Sequence, residues 1–198
     1  MNSGELKRAK REARKRALEV RDAIPAERRG VLGAAAIERF LALPEVGEAS
    51  TVMAFWSFGS ELPTLPLIEA LHDRGARVAL PRIVEGEIEP RAFAPGDPTT
   101  EAAFGALEPS DGAIVEPHDI DVIATPAVAF DRRGQRVGYG GGFYDRFFAR
   151  ARSDALRVGI ALGPQLLDPE LELPAGAFDL PVDVVVTEAE TVRFRRDR

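Results

Sequence analysis

Between Gly134 and Gly142 the chain sets five of its 18 glycines within nine positions. An apolar run, Val122 to Phe130, enters this stretch, and a helix-like run, Phe143 to Ala151, leaves it. A strand that turns through glycines into a helix start lets backbone N–H groups approach an anion closely. The helix N-terminus adds a partial positive charge. Phosphate is the ligand class such a loop suggests first. Two familiar phosphate loops do not fit: no Lys follows a glycine here as a P-loop requires, and counting G-x-G-x-x-G from Gly138 puts Phe143 at the last glycine.

The rest of the chain supplies strands and helices in alternation. Residues 5–21 lack Pro and Gly and are rich in Ala, Arg, Lys and Glu, which predicts an N-terminal helix. Lys10 and Arg14 are four apart and share a face of it. Asp22 to Glu27 reads as a stop and restart, and a second helix is expected over 26–43. Thr51 to Trp56 is a short apolar run suited to a buried parallel strand, followed by a loop over 57–61. A helix over 64–74 and a strand over 77–81 complete a βαβ unit. Residues 88–93 read as a strand interrupted by Pro90, and 94–113 as mostly loop with room for an edge hairpin. Further strands are expected over 121–126, 156–162 and 182–187, with a tight turn at Asp131–Gly134 and a short helix or turn over 165–171. The expected fold is α/β, a single-domain layered fold over residues 1–198 with a largely parallel central sheet flanked by helices. In such sheets ligands bind beyond the strand C-termini. The 57–61 loop and the glycine loop are both expected there.

Charge narrows the partners. Residues 5–21 carry eight Lys/Arg against Glu5, Glu12 and Glu19, a net +5, which leaves −11 on the rest of a chain whose total is −6. An acidic body with one basic element suits a small polyanion better than nucleic acid. The chain has no Cys, no apolar run of bilayer length and no secretory h-region, so a cytoplasmic protein with no membrane partner is expected. Around the glycines, Arg136 is a candidate phosphate stabiliser and Asp145 a candidate Mg²⁺ ligand, since Mg²⁺ takes carboxylate oxygens together with substrate phosphates. Tyr139, Phe143 and Tyr144 are candidates for stacking on a planar ring. His72 and His118 read as surface residues.

The run Val128-Ala129-Phe130-Asp131-Arg132-Arg133-Gly134-Gln135-Arg136-Val137-Gly138-Tyr139-Gly140-Gly141-Gly142-Phe143-Tyr144-Asp145-Arg146 resembles the signature of the 5-formyltetrahydrofolate cyclo-ligase (methenyltetrahydrofolate synthetase) family. Lys10-Arg11-Glu12-Ala13-Arg14, Phe55 to Glu61 with Thr64, Leu80-Pro81-Arg82, Phe104-Gly105 with Glu108-Pro109, and Phe178-Asp179 before Val182-Asp183 resemble its other blocks in the same order. The resemblance implies an enzyme that uses ATP with Mg²⁺ to convert 5-formyltetrahydrofolate to 5,10-methenyltetrahydrofolate. ADP and phosphate leave, and the route passes through an iminium phosphate. It implies an ATP site of Lys10, Arg14, Arg136, Val137, Gly138, Tyr139, Gly140, Gly141, Gly142, Phe143 and Tyr144, and a folate site of Trp56, Glu61 and the same loop from Tyr139 to Phe143. Asp145 and Asp179 would hold Mg²⁺, and no covalent nucleophile is implied. Animal members carry basic residues inside the loop. Tyr139 and Gly141 stand there instead, which follows the bacterial pattern and leaves more of the phosphate charge to Arg136, Lys10 and Arg14. The expected partners are ATP and 5-formyltetrahydrofolate, with or without a polyglutamate tail, and the expected state is a monomer. A non-catalytic nucleotide- or folate-binding member of the same fold is the alternative.

Overall fold

A computed structural model describes residues 2–102 and 105–194, so Phe104 of the resemblance and the last four residues of the charged tail lie outside the described residues. A seven-stranded sheet is ordered β11-β10-β9-β6-β1-β2-β3. Its strands are β1 (Thr51–Met53), β2 (Arg77–Val84), β3 (Glu87–Ala92), β6 (Val122–Thr125), β9 (Leu156–Ile160), β10 (Val184–Val186) and β11 (Thr191–Arg193). The β1–β2, β1–β6, β6–β9 and β9–β10 pairs are parallel, and only the edges β3 and β11 run antiparallel. Two small hairpins stand apart, β4 (Thr99–Glu101) with β5 (Leu107–Pro109) and β7 (Ala129–Phe130) with β8 (Arg136–Val137).

The parallel strands are apolar on both sides because both faces are covered. Val52, Val78, Leu80, Val122, Val158 and Val184 point to one cluster, which α2 (Ala26–Leu41) and α4 (Leu65–Asp73) complete through Ile37, Phe40, Leu67, Ile68 and Leu71. Their neighbours Met53, Ala79, Ile123 and Val185 point the other way, against Phe147 and Phe148 of α5 (Phe143–Arg150). This alternation is the period of two that a strand imposes. The short α3 (Pro44–Glu48) closes the first cluster with Val46. No helix of the described residues is long and apolar enough to cross a membrane.

The strands from β2 through β1, β6 and β9 to β10 reverse direction of growth between β1 and β6, so the topological switch point lies there. Several expectations shift in detail. The first strand stops at Met53, and residues 54–61 already belong to its exit loop. Pro90 does not interrupt β3: it pairs with Pro81 of β2 at the sheet edge, where a missing N–H costs little. The tail adds β11, whose short alternation of Thr191-Val192-Arg193-Phe194 turns Val192 and Phe194 onto the core. The glycine loop does not leave a sheet strand directly. After β6 the chain makes the β7–β8 hairpin, and the loop follows β8.

That hairpin turns on a buried carboxylate. Asp131 is fully buried, and its Oδ1 accepts from the backbone N–H groups of Arg133 and Gln135, both at 2.9 Å. Its Oδ2 accepts from Leu173 N–H at 3.0 Å and pairs with Arg133 at 3.2 Å. Gly134 completes the turn at φ +80°, where an added Cβ would lie 2.6 Å from the Val182 carbonyl oxygen. Asp131→Ala leaves three backbone donors without their acceptor. Such a loss is expected to cost about 3 to 5 kcal/mol in denaturant unfolding. Asp131→Asn, which keeps an acceptor oxygen, should recover part of it. Wild-type stability in Asp131→Ala would refute this account of the turn.

Candidate functional site

Helix α1 (Ser3–Asp22) starts in a capping box in which Asn2 and Glu5 bond each other's backbone N–H. It does not pack on the sheet. Its small residues Ala13 and Ala17, with Leu18, rest on Val128, Ala129 and Val137 of the β7–β8 hairpin. Lys10, Arg14 and Arg21 follow each other by four and seven residues, which keeps them within one stripe of the helix. That stripe faces the glycine loop. Arg14 Nε donates to the Gly138 carbonyl oxygen at 2.5 Å. A Cβ on Gly140, which sits at φ +102°, would come within 3.1 Å of the same guanidinium. The loop ends at Gly142, the N-cap of α5, in a left-handed conformation. A Cβ on Gly141 would enter the Phe143 ring at 2.4 Å.

Beneath α1, cations and carboxylates are already matched. Lys10 Nζ is paired with Asp179. Arg136 donates to Asp145 Oδ1 at 2.8 Å, and Leu180 N–H donates to the same oxygen at 3.0 Å. The Arg136 side chain is nearly buried, 5.1 Å over the Phe148 ring, and burial pulls its pKa below the usual arginine value against the pull of Asp145. Asp179 also feels Arg136. Both expected metal ligands are therefore already held by cations, Asp145 by Arg136 and Asp179 by Lys10. Among the described residues no three or more His, Cys, Asp or Glu are grouped so that they could hold a metal ion by themselves. Two carboxylates are nonetheless what Mg²⁺ takes when substrate phosphates and waters supply the rest.

The other end of the site lies where β1, β6 and β9 end. A cavity of about 10 Å³, room for about one water, is lined by Phe55, Glu61, Leu62, Pro126, Ala127, Ile160 and Gln165. Glu61 is buried. Its Oε2 accepts from Phe58 N–H at 3.1 Å, and Tyr139 Oη donates to its Oε1 at 3.4 Å. Burial pushes the Glu61 carboxyl up from 4.5 to about 7, opposed by the Phe58 N–H, by Arg21 and by Tyr139. Tyr139 stacks at a tilt on Phe58, 4.9 Å between centroids. Trp56, also expected at the folate end, meets Phe93 edge-on at 5.9 Å. Tyr144 contacts Phe148, and its hydroxyl is buried without a hydrogen-bond partner. Burial, and next the charge of Glu61, raise its pKa, while Arg136 opposes them.

The residues expected from the sequence thus fall into one region running from Lys10, Arg14, Arg136, Asp145 and Asp179 through Gly138–Gly142 to Tyr139 and Glu61. Trp56 stands at the exit of β1, with Phe93 as its aromatic partner. Arg21, on the same stripe of α1, was not anticipated. Its spacing from Arg14 was the available signal, but a basic run offers many such spacings.

Comparison with known proteins points the same way. A sequence model of the 5-formyltetrahydrofolate cyclo-ligase family matches residues 6–188. The 5-formyltetrahydrofolate cyclo-ligase of Escherichia coli is 38% identical over 176 residues, covering 86% of this chain and 95% of that protein. That of Mycolicibacterium smegmatis is 35% identical over 144 residues, covering 69% and 73%. The solution structure of the Aquifex aeolicus 5,10-methenyltetrahydrofolate synthetase superposes with a TM-score of 0.83 at 35% identity, over 96% of this chain and 94% of that one.

Two outcomes follow from the geometry. An orphaned buried hydroxyl costs stability, so Tyr144→Phe is expected to stabilise the fold by about 1 kcal/mol in denaturant unfolding. A loss of stability would mean that the hydroxyl has a partner. Glu61 is raised in the folded state, so the stability its neutral form contributes is complete below about 4.5 and is lost as pH rises through about 7. Measured against Glu61→Gln, the wild type should gain roughly 3 kcal/mol on acidification from above to below that window. A difference independent of pH would contradict the buried-carboxyl assignment.

Proposed function

The chain belongs to the 5-formyltetrahydrofolate cyclo-ligase family, and from that premise we propose that it is an enzyme that closes 5-formyltetrahydrofolate to 5,10-methenyltetrahydrofolate with ATP and Mg²⁺. The observation that carries the reading is the meeting of α1's cations, the glycine loop and two ion-paired carboxylates in one region. Phosphoryl transfer depends on positioning and charge neutralisation more than on a protein nucleophile. The residues match that need.

In this reading the backbone N–H groups of Gly138 to Gly142 and the start of α5, with Val137, Phe143 and Tyr144, hold the triphosphate. Lys10, Arg14 and Arg136 neutralise it. Lys10 and Arg136 each carry a carboxylate partner before ATP arrives. A bound triphosphate is the stronger anion, so both cations turn to it and release Asp179 and Asp145. These two carboxylates would hold Mg²⁺, which when bound adds charge neutralisation at the phosphates. At the other end Glu61 accepts from the pterin N–H donors, and Trp56, Tyr139 and Phe143 pack against its ring.

The formyl oxygen attacks the γ-phosphorus, the bond to the β-phosphate oxygen breaks and ADP leaves. N10 of the iminium phosphate attacks the formyl carbon, phosphate departs with the former formyl oxygen, and N10 gives up its proton. Arg136 is the residue best suited to stabilise the transferring phosphoryl group, because its buried guanidinium is charge-poor in partners once Asp145 is released. The site needs α1, the glycine loop and the 178–180 segment together, so residues 1–198 are read as one cyclo-ligase domain.

Mixing the protein with 5-formyltetrahydrofolate and Mg²⁺ is expected to produce the near-ultraviolet absorbance of the methenyl product only when ATP is added. Thermal stabilisation by either ligand without turnover would instead indicate a binding protein of the same fold. Asp145→Asn is expected to raise the Mg²⁺ concentration for half-maximal rate by about tenfold or more, and Lys10→Met to raise KM for ATP by about 10- to 100-fold, the loss of one charge-assisted contact. Wild-type values in both variants would remove these residues from the site.

A further inference from the structure

Arg21 lies in the last turn of α1 and is 2% exposed. A cation so far out of water is costly unless its donors are used. Nε donates to Ser60 Oγ at 2.8 Å and Nη2 to Tyr139 Oη at 2.7 Å. Nη1 is buried with no hydrogen-bond partner and stands 3.9 Å from Glu61 Oε1. The guanidinium carbon is also 5.9 Å from the centre of the Tyr139 ring. One side chain thus joins α1, the exit loop of β1 and the glycine loop. If anchoring the helix were its whole task, an apolar residue or a fully bonded arginine would serve better. A half-satisfied guanidinium held beside a buried carboxylate is instead the kind of arrangement found where a charge must be kept for a ligand.

We propose that Arg21 is the positioning residue of the folate site: from 3.9 Å it aims Glu61 and favours its ionised form, so that the carboxylate can accept from the N–H donors of the pterin edge. This rests on the reading of Glu61 given above. Glu61 is faced by Arg21 from α1, Tyr139 from the glycine loop, Tyr144 from α5 and the Phe58 N–H of its own loop. Arg21 is the cation of that set, and Ser60, which it holds, is also bonded to Asp22. Without it, burial is opposed only by neutral donors. The carboxyl becomes neutral at higher pH and presents an O–H to a pterin edge that also donates. Folate binding then weakens on acidification sooner than in the wild type.

The test is binding of 5-formyltetrahydrofolate to the full chain without ATP, read by the fluorescence of Trp56, the single tryptophan. Arg21→Gln is expected to weaken binding at pH 7 by about tenfold or more. Its acidic limb, where affinity falls, should move up by about one pH unit or more. KM for ATP should change less than the folate affinity, since Arg21 reaches the glycine loop only through the Tyr139 side chain and not through the backbone N–H groups. Arg21→Lys keeps the charge and loses the fork, so its affinity falls while the acidic limb stays at the wild-type pH. If Arg21→Gln does not fold, Arg21→Lys carries the test alone: unchanged affinity, or a fully displaced limb, overturns the proposal. A folded Arg21→Gln with wild-type affinity and limb also overturns it and leaves the cyclo-ligase reading standing. A wild type that binds no 5-formyltetrahydrofolate at any pH overturns both.

Discussion

A parallel strand buried on both faces has no side chain to spare for polar work, and here five such strands leave their C-terminal exits to carry it. The order of those strands reverses between β1 and β6, so the loops beyond them separate and open a crevice. Phe55 and Glu61 come from the exit of β1, Pro126 and Ala127 from that of β6, and Ile160 and Gln165 from that of β9, all around the same small cavity. Gln165 ties this floor together, donating to the Ala127 and Val128 carbonyl oxygens and accepting from Leu162 N–H. The β7–β8 hairpin then carries the chain away from the sheet and returns it as the glycine loop. Without the buried Asp131 at its turn, that excursion would have no reason to end where α1 can reach it.

Helix α1 is held largely by charge. Its apolar contacts are small, Ala13, Ala17 and Leu18 on the hairpin, while Lys10, Arg14 and Arg21 reach inward to Asp179, Gly138 and the Ser60–Glu61–Tyr139 group. Ion pairs that are partly buried contribute little net stability when complete, because desolvation offsets attraction. They exchange one anion for another at modest cost. Such pairing keeps each cation and carboxylate near its place before any ligand is present. It also explains why two residues expected as phosphate ligands and two expected as metal ligands are found bonded to each other.

The sheet was legible because a doubly covered strand must be apolar throughout, and runs such as Val52-Met53-Ala54 and Val184-Val185-Val186 say so locally. The glycine loop was legible because positive φ and close contact leave few alternatives to Gly at 140, 141 and 142. Edge features were harder to read. Pro90 reads as an interruption because the sequence does not say which side of a strand lies at an edge. Residues 191–193 form an edge strand in which Val192 is the sole apolar residue, too short a signal beside the charges that follow it. The resemblance named site residues, yet it left open which of them pair with which.

Fold class, the glycine-rich loop ahead of a helix start and the shared face of Lys10 and Arg14 were determined by the sequence alone, since each depends on local periodicity or on the unique freedom of glycine. The tertiary structure decided that Arg136 is matched with Asp145 and Lys10 with Asp179, and that Lys10, Arg14 and Arg21 of the basic helix turn inward while Arg8, Arg11 and Arg16 stay exposed. It also decided that Arg21 is buried beside Glu61 while neighbouring arginines of the same run stay in water. Lys10 and Asp179 are 169 positions apart and Arg21 and Ser60 are 39 apart, while Arg136 and Asp145, nine apart, meet with the glycine loop between them. Desolvation and pairing are properties of what surrounds a charge, and the order of residues around Arg21 does not contain them.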